Sequence, residues 1–131
     1  MSVKSKILII DESVSMLRLL FNVLSDHYEV IVMRDPVSAY NWLHEGNYPA
    51  LTIVELSAAE MIGFSFIRNI RISGLHRTMP VVVLSSFLQH DHVQEAIIHK
   101  ADACFKKPFS PAALSDAVKH LIDTRYAYAA A

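Results

Sequence analysis

Glycine and cysteine are scarce in this chain, which has three glycines and one cysteine. The three glycines stand apart from one another at positions 46, 63 and 74, so neither the G-x-G-x-x-G fingerprint of dinucleotide-binding folds nor a P-loop is present. The single cysteine, Cys104, excludes an internal disulfide framework. A lone thiol fits a reducing compartment, and we therefore expect a cytoplasmic protein.

The chain also lacks long apolar runs and an excess of charge of one sign. The longest apolar run near the N-terminus, Ile7 to Ile10, is too short for a signal peptide or a membrane span. The formal net charge is −1 and the basic residues are scattered, so the sequence shows no cluster of Lys and Arg of the kind that binds nucleic acid or an anionic membrane. With 131 residues, 53% of them hydrophobic, the composition indicates one folded domain.

What the chain does have is a regular alternation of strand-like and helix-like segments. Short apolar runs that end in polar residues alternate with stretches whose apolar residues recur at helical spacing. Strands are predicted at 6–11, 28–33, 50–55, 80–85 and 103–106, and helices at 14–24, 35–46, 63–72, 91–99 and from Ser110 onward.

The first two helices show how such segments are recognised. Val14, Leu17, Phe21 and Leu24 recur at helical spacing and predict the buried stripe of the first helix. The second, 35–46, carries Asp as an N-cap, Pro at its first position and Gly just past its end.

Five repeats of strand and helix predict an α/β fold. Strands that are apolar on both faces indicate a parallel sheet covered by helices on both sides, which is a (βα)5 three-layer sandwich. We predict this domain over residues 1–125. The tail 126–131 is expected to be a frayed helix end or the start of a linker.

Polar side chains are concentrated at the predicted carboxyl ends of the strands. Ligand sites of open α/β sheets lie at that edge. A polar residue at one strand end is common, but a set that includes carboxylates, hydroxyls and lysines at one edge predicts a functional site. Its members are Asp11 and Glu12 after the first strand, Glu55 at the third, Ser85 and Ser86 at the fourth, and Lys106 and Lys107 at the fifth, followed by Pro108.

Four sequence segments resemble the receiver domain of bacterial response regulators, the CheY-like family. They are "ILIIDES", "VELSAAEMIG", "PVVVLSS" and "ADACFKKPF", and together they cover the length of the chain in the order that the family has them. The resemblance implies a flavodoxin-like sheet of strand order 2-1-3-4-5. It also implies a cis peptide bond before Pro108.

The resemblance further implies a phosphoryl switch in two-component signalling. Asp11 and Glu12, with Glu55 at the phospho-acceptor position, would hold Mg²⁺, which neutralises charge on the transferred group. Lys107 would supply a second positive charge. Ser85 would be the hydroxyl that turns toward the phosphate, and Cys104 stands at the position of the aromatic switch residue.

Two departures from the family pattern fall on the acceptor and the metal ligands. Glu55 replaces the acceptor Asp, and its side chain is one methylene longer, which displaces the attacking oxygen; an error of about 1 Å can cost roughly a hundredfold in rate. Glu12 replaces the second Asp of the metal pair, and Mg²⁺ demands near-ideal octahedral geometry. Any binding of Mg²⁺ is therefore expected to be weak.

Three further departures lie around the site. Ala58 and Ala59 stand where the family has Met-Pro, and Cys104 offers no aromatic ring. Lys100 stands where a Gly normally closes the fourth helix, which predicts a left-handed backbone at that lysine. The departures favour an atypical receiver, or pseudo-receiver, that signals by protein–protein contact without standard Asp phosphorylation.

Two other functions remain open from the sequence. One is a catalytically competent receiver that accepts a phosphoryl group from a histidine kinase with Mg²⁺. The other, a flavodoxin-like small-molecule binder, is disfavoured because the chain has no phosphate-binding loop. As partners we expect a signalling protein or a histidine kinase, and a homodimer through the face formed by the fourth helix, fifth strand and fifth helix, by analogy with receivers.

Charge at the predicted site leads to one geometric prediction. Asp11, Glu12 and Glu55 bring excess negative charge to one edge. Such a cluster must bind a cation, recruit Lys106 as well as Lys107, or hold a proton at a raised pKa. We therefore expect Glu55 or Glu12 to make a direct salt bridge with Lys107.

Three further signals have simpler structural explanations. The "HDH" stretch at 90–92 is assigned to loop and cap residues rather than to a metal pair. Cys104 is assigned to a small buried strand residue rather than a thiol nucleophile. Tyr40 and Trp42 are assigned to packing rather than to a ligand platform.

Overall fold

The computed structural model describes residues 3–56, 62–85 and 100–130. The predicted helix at 91–99 lies outside these ranges, so the C-terminal helix is numbered α4 here. The elements are β1 (Lys6–Ile10), α1 (Val14–Leu24), β2 (Glu29–Met33), α2 (Pro36–His44), β3 (Leu51–Leu56), α3 (Ile62–Ile72), β4 (Val81–Ser85), β5 (Ala103–Lys106) and α4 (Pro111–Ala130).

The five strands form one parallel sheet in the order β2-β1-β3-β4-β5. The register aligns their carboxyl ends: Ile10 lies opposite Val54, Glu55 opposite Leu84, and Ser85 opposite Lys106. The predicted fold class and strand order are confirmed.

Alternating side chains of the strands supply two separate cores, one on each face of the sheet. Leu8 and Ile10 of β1 point to the core that α2 and α3 cover, whereas Ile7 and Ile9 point to the core under α1 and α4. All four are at most 2% exposed. Successive residues of a strand face opposite sides, so a sheet buried on both faces needs an unbroken apolar run.

The helices begin at capping side chains that the sequence marks. Ser13 accepts a hydrogen bond from the backbone N–H of Met16 at 3.2 Å. Asp35 accepts one from that of Ser38 at 2.7 Å, with Pro36 at the first helical position. Such caps satisfy backbone donors that have no partner within the helix.

The buried stripe of α1 differs from the prediction. Leu17 and Leu24 are buried as expected, but Val14 is 54% and Phe21 45% exposed, and Leu20 is buried in their place. The helix is rotated about its axis, so that Met16 and Val23 also pack partly against the core. Residues 17, 20 and 24 share one helical face just as 14, 17, 21 and 24 do. The prediction for Val14 and Phe21 was wrong.

The turn before β5 is fixed by Arg71 at the end of α3. Lys100 has the left-handed backbone predicted for it, with φ of 61°. Its carbonyl accepts hydrogen bonds from Arg71 Nε at 3.0 Å and Nη2 at 2.9 Å. Arg71 Nη2 also donates to Asp102 Oδ2 at 2.9 Å, and Nη1 donates to the Met79 carbonyl at 2.6 Å. One guanidinium therefore joins α3 to the starts of β4 and β5.

The C-terminal helix continues through the predicted boundary at residue 125, as far as Ala130. The division into a domain and a tail stays a prediction. In the part of the chain that the structure describes, no helix is both long and apolar enough to cross a bilayer.

Candidate functional site

The carboxyl edge of the sheet brings together the polar residues that the sequence singles out. Asp11 and Glu12 directly follow β1, Glu55 is the penultimate residue of β3, Ser85 ends β4, and Lys107 directly follows β5. The parallel register brings these positions to the same edge because equivalent ends of parallel strands meet there. Ser86 and residues 57–61, including Ala58 and Ala59, lie outside the described residues.

Lys107 is the centre of this edge. Its Nζ lies 3.0 Å from Asp11 Oδ2 and 3.7 Å from Glu55 Oε1. The lysine and Glu55 side chains are each 13% exposed and that of Asp11 is 2% exposed, so the three charges are largely removed from water. The predicted salt bridge is confirmed for Glu55. The closer partner is Asp11, which the prediction did not name.

Asp11 is held rigidly by its own turn. Its backbone N–H donates to the Met33 carbonyl at 3.1 Å, which continues the β1–β2 ladder by one residue. Its Oδ1 accepts from the backbone N–H of Ser13 at 2.9 Å, and its Oδ2 accepts from Lys107. Both oxygens of this buried carboxylate are therefore engaged.

Glu12 lies on the exposed side of the same turn. Its backbone carbonyl accepts from Arg34 Nε at 3.3 Å and Nη2 at 3.0 Å. Sequence reasoning missed Arg34, although it directly follows β2 and the rule about strand ends applies to it equally. Arg34 thus ties the end of β2 to the acidic turn.

The pKa of Glu55 is raised above its ordinary value. Burial is the largest cause, the Lys107 ammonium opposes the rise, and the Asp11 and Glu12 carboxylates add to it. The single lysine only partly offsets the burial of Glu55 beside two further acids.

Ser85 and Lys107 are joined through the backbone. The Lys107 N–H donates to the Ser85 carbonyl at 2.8 Å, and Ser85 is fully buried. The peptide bond between Lys107 and Pro108 is cis, as the family resemblance implied.

Cys104 lies in β5 opposite Val83 and packs against the core under α2 and α3. It is half-buried, and burial raises the pKa of its thiol. A thiol of this kind fits the packing role assigned to it rather than that of an activated nucleophile. Tyr40 and Trp42 likewise pack against this core, as predicted.

The arrangement does not fit a preformed Mg²⁺ site. Among the described residues, no three His, Cys, Asp or Glu side chains are placed to hold one metal ion. Asp11 accepts from Lys107 Nζ at Oδ2 and from the Ser13 N–H at Oδ1, and the Lys107 ammonium would repel a dication bound to the same carboxylate. An octahedral ion such as Mg²⁺ requires several oxygens at about 2.0–2.1 Å in near-ideal geometry.

Comparison with known families and proteins gives one consistent result. Residues 7–119 match the family model described as "Response regulator receiver domain". The chain is 25% identical over 120 residues to the chemotaxis protein CheY of Pseudomonas aeruginosa, covering 90% of this chain and 96% of that protein. It is 23% identical over 121 residues to a CheY homolog of Campylobacter jejuni, covering 91% and 93% respectively.

Solved structures give the same result for the fold. The signal receiver domain of a signal transduction histidine kinase from Syntrophus aciditrophicus has a TM-score of 0.83 at 26% identity, covering 92% of this chain and 91% of that one. A CheY-like receiver domain protein from Methanospirillum hungatei has a TM-score of 0.86 at 19% identity, covering 96% and 99%. At that lower identity the likeness concerns the fold alone.

Proposed function

Because this chain belongs to the response regulator receiver domain family, we propose that it is an atypical receiver, which signals through protein–protein contact without ordinary phosphorylation of an aspartate. Receiver domains are signalling modules of two-component systems rather than typical enzymes. The observation that carries the proposal is Glu55 at the acceptor position, with its carboxylate 3.7 Å from Lys107 Nζ.

Glutamate at this position supports the proposal in two ways. The added methylene moves the carboxylate away from the point at which an Asp would attack a phosphoryl group, and positioning supplies most of the catalysis in phosphoryl transfer. The same methylene lets the carboxylate reach the lysine that the family uses on the phosphoryl oxygens. The ion pair thus partly imitates a phosphorylated acceptor, with one negative charge in place of about 1.5 to 2.

The cation arrangement also supports the proposal. The Lys107 Nζ lies within ion-pair distance of both Asp11 and Glu55, so its one positive charge is an internal counter-ion that offsets part of their combined negative charge. Ordinary receiver phosphorylation needs Mg²⁺. Both Asp11 oxygens already accept hydrogen bonds and Glu12 is exposed, which does not favour the near-ideal octahedral coordination that Mg²⁺ requires. A module that works by binding needs no such ion.

The partner in this proposal is a signalling protein, and the output is a contact surface rather than a chemical product. By analogy with receivers, the surface includes β5 and α4, which would also serve a homodimer. Ser85 and Lys107 lie at the carboxyl ends of β4 and β5, and Cys104 lies within β5. These are the proposed residues through which the site would influence that surface.

The test is intact mass after incubation with a small phosphodonor and Mg²⁺. We expect the wild-type chain to gain nothing. One labile phosphoryl group on Glu55→Asp would assign the silencing to Glu55 alone, and an unmodified Glu55→Asp would assign it to the Mg²⁺ ligand positions Asp11 and Glu12 as well. Glu55→Gln, which keeps the length of Glu but lacks a nucleophilic carboxylate, is the matched control and should also stay unmodified. A labile phosphoryl group on the wild-type chain would establish the alternative, a catalytically competent receiver, and end the proposal.

A further inference from the structure

Four aromatic and imidazole rings lie in a row at the amino edge of the sheet, opposite the acidic site. Tyr40 and His44 have ring centroids 4.1 Å apart, His44 and His76 5.8 Å, and His76 and Tyr48 5.1 Å. Tyr40 and His44 belong to α2, Tyr48 to the α2–β3 connection and His76 to the α3–β4 connection. The row therefore joins two connections that are distant in sequence.

His76 is buried and uses only one of its two ring nitrogens. Its side chain is 3% exposed, and Nε2 lies 2.9 Å from the Asn47 carbonyl oxygen. A carbonyl can only accept, so Nε2 must carry the proton, and Nδ1 of the neutral ring is then a lone pair. That Nδ1 is buried and has no hydrogen-bond partner among the described residues. An orphaned buried polar atom calls for an ion or water that satisfies it.

His44 has the complementary arrangement on the exposed side. Its Nδ1 lies 2.9 Å from the Tyr40 carbonyl oxygen, so Nδ1 must donate and Nε2 is the lone pair. Each histidine thus has one nitrogen whose proton is fixed by a backbone carbonyl and a second nitrogen that can bind a ligand. Histidines that bind metals almost always donate their other N–H to a carbonyl or carboxylate in this way.

We propose that His44 and His76 together bind one transition-metal dication of the Zn²⁺, Cu²⁺ or Ni²⁺ class. Two imidazole nitrogens that share a metal at about 2.0–2.1 Å place their ring centroids roughly 5–6.5 Å apart, which brackets the 5.8 Å observed. Neutral imidazole suits these metals and not Mg²⁺ or Ca²⁺. The described residues supply no third His, Cys, Asp or Glu ligand, so water completes the coordination sphere.

Ring contacts with the two tyrosines make the histidine pair more rigid than two surface histidines would be. Tyr48 lies nearly parallel to the His76 ring, at 17°, and Tyr40 covers the His44 ring at 36°. Ligands held in place before the metal arrives lose less side-chain entropy on binding. A metal here would link the last residue of α2 to the connection between α3 and β4, at the edge remote from Lys107.

The test is equilibrium dialysis and calorimetry of the full chain, without a polyhistidine tag, against ZnCl₂ and CuCl₂, with MgCl₂ as the negative control. We expect one Zn²⁺ or Cu²⁺ per chain, with Cu²⁺ bound more tightly, following the general order of divalent metals. His44→Gln, at an exposed position, removes a proposed metal ligand. Loss of a group that only orients a ligand lowers metal affinity roughly 10- to 100-fold, so this variant should lose more than that. His120→Gln, also exposed but on α4, should bind as the wild type does.

Two further measurements separate this site from other histidines. The double variant His90→Gln/His92→Gln should retain full binding, because the site proposed here does not include the "HDH" stretch. Excess Zn²⁺ should raise the melting temperature of the wild-type chain but not that of His44→Gln, since an ion bound only to the folded state stabilises it. Unchanged binding in His44→Gln, loss in the double variant, or no binding at all would overturn the proposal and leave a buried water as the partner of His76.

Discussion

Replacing Lys107 with methionine is the most direct perturbation of the charge arrangement at the carboxyl edge. Methionine keeps the bulk of the stem but leaves Asp11, 2% exposed, and Glu55, 13% exposed, without their shared cation. Removing one partner of a buried ion pair costs about 3–5 kcal/mol. Because the Asp11 carboxylate keeps its hydrogen bond from Ser13 and the Glu55 side chain is partly exposed to solvent, we expect a loss of about 2–4 kcal/mol in the free energy of unfolding at pH 7.

The cost should depend on pH with a definite sign. The pKa of Glu55 in the folded chain lies above its ordinary value, so the folded state holds that proton more tightly than the unfolded state. The contribution of Glu55 to stability is therefore greatest at low pH and is lost as the pH rises through the raised pKa. Lys107 opposes the rise, so Lys107→Met should extend this loss to higher pH. The variant should be closest to the wild type near pH 4.

Urea denaturation followed by circular dichroism, at pH 7 and pH 4, measures both effects. Lys106→Met is the matched control, because that lysine is exposed and adjacent in sequence, and it should change stability by no more than about 0.5 kcal/mol. Combining Lys107→Met with Asp11→Asn should cost less than the sum of the single changes, since the neutral amide leaves fewer unpaired charges. A loss below about 1 kcal/mol for Lys107→Met, or an equal loss at both pH values, would refute the reasoning.

Two other predictions concern the chain around the site. Lys100→Gly should stabilise the fold by about 0.5–1 kcal/mol in urea denaturation. A left-handed backbone costs a non-glycine residue about 1–2 kcal/mol, and the greater conformational entropy of glycine in the unfolded state cancels part of that gain. The change retains the backbone carbonyl to which Arg71 donates, and a destabilised variant would contradict this account. Cys104 should react with a thiol reagent at pH 7 more slowly in the folded chain than in urea, because burial raises its pKa; equal rates would show that the thiol is not protected.

The sequence predicts the fold well because consecutive residues of the strands are apolar, which indicates strands that are buried on both faces of the sheet. β4 reads "VVVLS" and is buried throughout, which only a sheet covered on both sides accommodates. The stripe of α1 was predicted wrongly for a related reason. Most of the residues in "VSMLRLLFNVL" are apolar, so helical periodicity does not select one face. The rotation is set by packing against the sheet, which brings Leu20 to the centre in place of Val14 or Phe21.

The sequence predicts which strand ends lie together at the site, but it does not predict which side-chain atoms pair there. Lys107 was expected to reach a carboxylate, but the choice between Asp11 at 3.0 Å and Glu55 at 3.7 Å depends on side-chain rotamers and on the turn that holds Asp11. Arg34 could have been found from its place after β2. The His44 and His76 pair could not, because no spacing rule brings the end of α2 to the α3–β4 connection.

The ion pair between Asp11 and Lys107 also has a consequence for how the chain is made. Its two members are separated by 96 positions and lie after β1 and β5, which are not neighbours in the sheet. During synthesis the N-terminal strands leave the ribosome well before the lysine does, so Asp11 and Glu55 have no shared counter-ion until the last strand is added. Closing so long a loop is entropically costly before the contact is made. Lys107 is therefore the last member of the carboxyl edge to be synthesised, and a chain that ends before β5 would lack the counter-ion that Asp11 and Glu55 share.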